Sequence, residues 1–271
     1  MRTILCSAGK GELPAQACLK CAIESPSRHP LCGLDYGYLK ALLNTSEERP
    51  DIHVTDITGC LKRAYLGKKN PKPVYVHELQ ALTQGVAVHS FLEDNDLFMD
   101  CEYPLKGDDL RGTADVVHKL FDPLRRRIVD YKSTRWMYVD KLPYGSHALQ
   151  VNIYAHLLRQ EGHLVDSLAI QYIDMSGPTK CRNCKRPVRM NVFEELACPK
   201  CGNAPNNAHL GAMLVEVPLI DEGEISSLIE RRKTALRQAL DSAQVPGGEP
   251  SFLCGYCPFE DECEEADRNG R

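Results

Sequence analysis

Asp115, Asp130 and Lys132 carry the side chains best suited to phosphate chemistry. Asp115 lies in GTADVV, and Asp130 and Lys132 lie in IVDYKST. Residues two apart on a strand share a face, so Asp130 and Lys132 project together while Val129 and Tyr131 project the other way. If the two strands are antiparallel neighbours, Asp115 lies near that pair. Adjacent carboxylates repel, and a hard divalent cation such as Mg²⁺ or Mn²⁺ relieves the repulsion. A nearby lysine orients a water or stabilises charge building on a phosphate. A lone D-x-K also occurs by chance on solvent faces. Here both acids are embedded in apolar strand sequence, where burial is costly unless something pairs with them.

Cysteine is the second chemical signal, with 13 in the chain. The N-terminus, MRTILCSAGK, has too short an apolar run for a secretory leader. The expected compartment is therefore a reducing cytoplasm, where thiols bind metal more readily than they form disulfides. Cys181, Cys184, Cys198 and Cys201 read C-x2-C-x13-C-x2-C, a zinc-ribbon spacing. Two knuckles on one tetrahedral Zn²⁺ would fold a segment too short to build a core. Cys6, Cys18, Cys21 and Cys32 hold one C-x2-C knuckle with flanking cysteines, read as a second zinc site in which His29 could replace one ligand. Cys254, Cys257 and Cys263 follow C-x2-C-x5-C and need a fourth ligand for a closed thiolate site. Spacing alone leaves iron–sulfur and zinc both open there. Cys101 reads as a small buried apolar residue.

The elements that position these residues follow from periodicity. A helix is predicted over 55–66, capped by Thr55 or Asp56, and another over about 76–93, with Leu79, Leu82, Val86 and His89 at helical spacing. Three strands follow as a meander, DLFMDCEYPL, LRGTADVVHKL and RRRIVDYKST, separated by the turns KGDD and FDPL. Residues 145–160 are predicted helical, SLAIQYIDM and AMLVEVPLI are strands, and 221–243 is a long amphipathic helix. Residues 1–50 show little long regular structure. The expected organisation is an N-terminal four-cysteine module over 1–50, a core domain over 51–176 and 211–265, and a zinc-ribbon insertion over 177–210. Hydrophobic residues at 43% and charged residues at 26% fit a globular chain without a membrane span. A net charge of −4 neither requires nor excludes nucleic acid, because local basic faces attract phosphate.

G-x-x-D from Gly112 to Asp115, D-x-K, and then Q-x-x-x-Y at Gln150 and Tyr154 resemble the RecB-like branch of the PD-(D/E)XK nucleases. Upstream, His89 in GVAVHSFLE resembles the first motif of that branch. The match spans roughly 54–160 and is most similar to the CRISPR-associated exonuclease family, except that Asp130 stands where many members carry Glu. The resemblance implies an α/β restriction-endonuclease-like fold, a mixed sheet flanked by helices. It implies that His89, Asp115, Asp130 and the Tyr131 carbonyl hold Mn²⁺ or Mg²⁺, that Lys132 assists the attacking water, and that Gln150 and Tyr154 position the strand or the lysine. It also implies a [4Fe–4S] cluster on Cys60, Cys254, Cys257 and Cys263, clasping the two ends of the domain. The implied activity is a DNA exonuclease trimming single strands or DNA ends ahead of CRISPR integration, with integrase proteins as partners. A RecB-like nuclease of a phage or mobile element, in recombination or repair, shares the chemistry. A DNA-end-binding scaffold with a weak nuclease centre, and a zinc-dependent binding module with structural acids, are the other readings.

Several residues keep two readings. His89 is equally a hydrogen-bonded core histidine, and Tyr154 lies on an apolar stripe. Arg182, Lys185, Arg186 and Arg189 around the first knuckle suit DNA contact or a solvated charged face. The clusters Lys62, Arg63, Lys68, Lys69, Lys72 and Arg125, Arg126, Arg127 divide the same way. Trp136, the only tryptophan, suits base stacking or packing.

Overall fold

Alternating apolar and polar residues through 99–134 build a strand meander. In the computed structural model it is β-structure at nearly the predicted bounds. The structure describes residues 3–6, 9, 11–24, 36–44, 51–75, 87, 99–120, 124–134, 141–175, 179–180, 183–184, 187–188, 200–202, 212–251 and 253–263. In chain order the strands and helices are β1 (Thr3–Leu5), β2 (Glu12–Pro14), α1 (Ala15–Glu24), α2 (Tyr36–Asn44), β3 (Ile52–His53), α3 (Val54–Thr58), α4 (Leu61–Lys69), β4 (Val74–Tyr75), β5 (Met99–Lys106), β6 (Leu110–Lys119), β7 (Arg125–Thr134), α5 (Gly145–Gln160), β8 (Leu164–Asp174), β9 (Thr179–Lys180), β10 (Pro187–Val188), β11 (Ala212–Val217) and α6 (Glu222–Ser242). Among the described residues no helix is long and apolar enough to cross a membrane. The fold is mixed α/β, a central mixed sheet flanked by helices, and the chain divides into two compact units, 1–94 with 228–271, and 95–227.

In the unit 95–227, β5, β6 and β7 are antiparallel neighbours, β7 and β8 are parallel, and β11 closes the other edge antiparallel to β8. A parallel pair needs a crossover, and α5 supplies it between β7 and β8. Gly107 N–H donates to the Leu110 carbonyl at 2.9 Å, closing the predicted KGDD turn. One sheet face holds Val116, Val129 and Ala169, with Met99, Cys101 and Tyr131 packed against them. Cys101 is thus partly buried in apolar company, as its sequence context suggests. α5 is buried continuously from Gln150 to Leu158, so the polar residues within that stretch take partners inside the protein. Asn152 ties it to the chain beyond β11, accepting from Ile220 N–H at 2.8 Å and donating to the Pro218 carbonyl at 3.2 Å.

In the other unit the expected helix over 55–66 is two helices. Gly59 is extended (φ −118°, ψ −158°), and Cys60 takes the β-region geometry of an N-cap for α4. The break is held from far along the chain. Arg232 Nε donates to the Ile57 carbonyl at 2.5 Å, and its Nη2 bonds the Gly59 carbonyl. The cap also differs from the expected Thr55 or Asp56. His53 takes that place, and its N–H donates to the Asp56 carboxylate at 2.8 Å, one arm of a capping box. Residues 1–50 hold more regular structure than their turn formers suggest. β1 and β2 form a hairpin, and Ile4 and Leu39 seed a small core with Leu13, Cys18, Leu19, Ala22 and Leu43. Cys18 and Cys21 consequently lie within α1, on helix rather than on a knuckle turn. The predicted helix over 76–93 lies outside the described residues, apart from residue 87.

Candidate active site

β6 and β7 separate where the acids lie. Their ladder runs through Lys119↔Arg126 to Val116↔Val129, and the next position in that register would set Asp115 opposite Asp130. There Tyr131 N–H donates to the Asp115 carboxylate at 2.6 Å, so a side chain replaces a main-chain acceptor. β7 meanwhile stays paired with β8 to Thr134↔Asp174. Asp130 is fully buried, and Lys132, on the same face, brings Nζ to 2.5 Å from Asp130 Oδ2. Tyr131 packs on the opposite face beside Val129, as strand alternation requires.

α5 lies over the acidic face. Gln150 Nε2 donates to the Tyr154 hydroxyl at 2.7 Å and reaches Asp130 Oδ1 at 3.4 Å. Residues four apart on a helix are neighbours, which is what allows this pair to act as one unit. Burial pushes Asp115 up to about 8, reinforced by the charge of Asp130 and opposed by Lys132 and by the Tyr131 N–H. Burial and the same acids push the Tyr154 hydroxyl well above its usual range.

Three residues join this site that sequence reasoning did not single out. Glu102 is flanked by the pairs Cys101↔Val116 and Tyr103↔Ala114, which sets it opposite Asp115. Its φ of 48° is a left-handed backbone conformation uncommon for a non-glycine residue, and its charge helps raise Asp115. Tyr172 stands across the parallel ladder from Lys132. His147 Nδ1 lies 3.1 Å from the Tyr172 hydroxyl. His147 sits three residues before Gln150 and seven before Tyr154, so extending that helical stripe toward the N-terminus of α5 would have found it.

His89 and Trp136 lie outside the described residues, as do Cys32, Cys181, Cys198 and His29. Among the described residues no group of three or more His, Cys, Asp or Glu side chains is gathered closely enough to hold a metal ion. Cys60 nonetheless meets the C-terminal segment. Its Sγ accepts the Glu249 N–H at 3.4 Å, and the Glu249 carboxylate accepts the Leu61 N–H at 3.2 Å. Arg232 binds both oxygens of that carboxylate, at 2.8 and 3.0 Å. Cys254 Sγ accepts the Ser251 N–H at 3.3 Å, and Cys257 N–H donates to the Cys254 carbonyl at 3.0 Å in a tight turn. Cys184 lies in the connection between β9 and β10, which pair antiparallel, and Cys201 precedes Gly202 at φ +69°.

The family model described as the PD-(D/E)XK nuclease superfamily matches residues 44–264. No curated protein matches the chain. The solved structure of SSO0001 aligns with a TM-score of 0.48 at 17% identity, covering 84% of this chain and 93% of its own. A phage-related exonuclease from Haemophilus somnus 129PT aligns with a TM-score of 0.39 at 10% identity, covering 72% of this chain and 96% of its own.

Proposed function

Because this chain belongs to the PD-(D/E)XK nuclease superfamily, we propose that it is a metal-dependent deoxyribonuclease whose reaction centre is Asp115, Asp130 and Lys132. The observation that carries this reading is the opening between β6 and β7, where two carboxylates from neighbouring strands share one face with a lysine ammonium.

The donor set suits Mg²⁺ or Mn²⁺. Both ions prefer carboxylate and carbonyl oxygen, and a cation would offset both the burial and the Asp130 charge that raise Asp115. In a strand the N–H and C=O of one residue point to the same side. The N–H of Tyr131 goes to Asp115, so its carbonyl faces the same opening. Asp115, Asp130 and the Tyr131 carbonyl would hold the ion, with His89 as the fourth donor in this reading. When bound, the ion supplies charge neutralisation on the phosphate and acidifies a water.

The chain's own groups do the rest. Lys132 donates to the attacking water and to the non-bridging phosphate oxygens on which negative charge builds. Gln150, hydrogen-bonded to Asp130 and to Tyr154, fixes the carboxylate from the helix side. Burial of Asp130 under α5 keeps bulk water from this face and strengthens every charge interaction on it.

The finer reading is exonucleolytic trimming of single strands or DNA ends. It rests on the motif order shared with CRISPR-associated exonucleases, with integrase proteins as the matching partners. The same reading takes Cys60, Cys254, Cys257 and Cys263 as [4Fe–4S] ligands. It is supported by the N–H···S bonds at Cys60 and Cys254 and by the ties of Glu249 to Cys60 and Leu61. Zn²⁺ on Cys181, Cys184, Cys198 and Cys201 is supported by the β9–β10 hairpin and by the positive φ of Gly202. A second Zn²⁺ on Cys6, Cys18, Cys21 and Cys32 rests on spacing alone.

Labelled single- and double-stranded DNA incubated with Mn²⁺ tests the reaction. Asp130→Ala and Lys132→Ala are expected to abolish cleavage while DNA binding persists. Full activity in both variants would remove the mechanism. Metal analysis of the purified protein, with the visible thiolate-to-iron band, decides between iron and zinc.

A further inference from the structure

The Tyr172 hydroxyl lies within hydrogen-bonding reach of His147 Nδ1. Tyr172 is completely buried, so its hydroxyl has no solvent acceptor. The Tyr144 N–H donates to its oxygen at 3.2 Å. A phenolic hydroxyl carries one hydrogen and must place it on an acceptor when buried. Among the described residues the acceptor within reach is His147 Nδ1, 3.1 Å away. A Nδ1 that accepts bears no hydrogen, so in the neutral ring the proton sits on Nε2. Edge-on contact of the Tyr144 ring with both His147 and Tyr172 keeps the imidazole from turning over.

The ring also stays neutral. Burial, with the Lys132 ammonium beside it, lowers His147 to about 4. The result is a fixed, uncharged N–H donor on the stripe that carries Gln150 and Tyr154, next to Lys132. The described structure gives its Nε2 no partner.

We propose that His147 Nε2–H is a substrate-positioning donor, binding a non-bridging phosphate oxygen of the nucleic-acid strand beside the one that reacts. This rests on the nuclease reading above and adds a contact which that reading does not need. A neutral donor suits the position, because a second cation beside Lys132 would be costly, whereas an N–H binds phosphate without a charge of its own.

The test uses the full chain, a fluorescein-labelled single-stranded oligonucleotide and Mn²⁺. His147→Ala is expected to raise KM roughly tenfold with kcat little changed, the loss of one hydrogen bond to a charged acceptor. His147→Gln, which keeps a side-chain N–H at the outer position, should recover most of that loss. Tyr172→Phe should weaken KM part of the way, because the tautomer is no longer fixed. Nitrogen NMR of the imidazole should show a bare Nδ1 and a protonated Nε2 at neutral pH. A series of oligonucleotides, each with one methylphosphonate, should contain one position where the wild type loses affinity and His147→Ala loses nothing further.

Wild-type KM in His147→Ala, or a proton found on Nδ1, would overturn the proposal. If Asp130→Ala is inactive in the same assay, the nuclease reading survives that result. If Asp130→Ala cleaves normally, the nuclease reading fails instead.

Discussion

Asp115→Asn should make the metal-free protein more stable at alkaline pH and leave it unchanged in acid. Asn keeps a side-chain oxygen for the Tyr131 N–H, which Asp115 accepts at 2.6 Å, and removes only the charge facing Asp130. The ordinary value of 3.8 rises to about 8 in the folded protein. A group raised in this way costs the fold nothing below its unfolded value. Stability then declines as pH climbs from about 4 to about 8, because the native state holds a proton that the unfolded chain releases. A shift of roughly four units sets an upper bound of about 6 kcal/mol. Asp115 is only partly buried, and solvent and relaxation bring the expected difference to about 2–3 kcal/mol. Urea melts with a chelator at about pH 3.5 and about pH 9 give the variant-minus-wild-type difference at each end of the window. Excess Mn²⁺ at the higher pH should reverse the order, since about 3 kcal/mol is gained at a hundredfold of Kd by whichever protein binds. An equal difference at both pH values would mean that neither burial nor the Asp130 charge raises Asp115. The opening between β6 and β7 would then lose its chemical meaning.

Three further outcomes follow from single contacts. Gln150→Ala removes the amide that reaches buried Asp130 and should cut kcat roughly tenfold with KM steady, while Tyr154→Phe should cost less; steady-state cleavage kinetics separate the two. Arg232→Ala strips the Ile57 and Gly59 carbonyls and the Glu249 carboxylate of their donor and should destabilise by about 2–3 kcal/mol in a urea melt, with Arg232→Lys a poor rescue because ammonium lacks the planar fork. Gly107→Ala places a Cβ 2.9 Å from Leu157 Cδ2; a flexible methyl can move, so the expected loss is about 1 kcal/mol by thermal unfolding, with no change in cleavage.

What could be read from the sequence divides by how local the cause is. β6 and β7 are short segments with β-branched residues bounded by turn formers, and their observed bounds, Leu110–Lys119 and Arg125–Thr134, fall on the predicted segments. α5 begins and ends at the predicted Gly145 and Gln160. In each case the deciding pattern lies within the element itself. The break at Gly59 and Cys60 was not legible, because the donor that holds it, Arg232, lies 175 residues from Ile57 in sequence. Tyr172 escaped notice for a related reason. Nothing local to β8 specifies which residue of β7 it faces, and the parallel register that sets it beside Lys132 is a product of packing. α1 was missed because cysteines and turn formers dominate the composition around it, while the apolar contacts it makes with Ile4 and Leu39 come from outside the helix.

The same distinction explains why the acids could be grouped from sequence although their site could not be drawn. Alternation put Asp130 and Lys132 on one face, and antiparallel pairing brought Asp115 near. Neither rule says that the strands part there. The parting arises because Asp115 takes the Tyr131 N–H that a carbonyl would otherwise hold, while β7 stays paired with β8 on its other side. The carboxylate therefore has two structural effects at once: it satisfies the Tyr131 N–H, and it opens the space that the proposed reaction assigns to a phosphate and a cation. A one-residue slip of β7 against β8 would exchange Lys132 for Tyr131 on that face. The long ladder from Arg125↔Leu164 to Thr134↔Asp174 is what prevents that slip. Precision at the centre is thus supplied by the β7–β8 pairing and not by the acids themselves. Substitutions that loosen β8 should accordingly reduce cleavage before they unfold the chain.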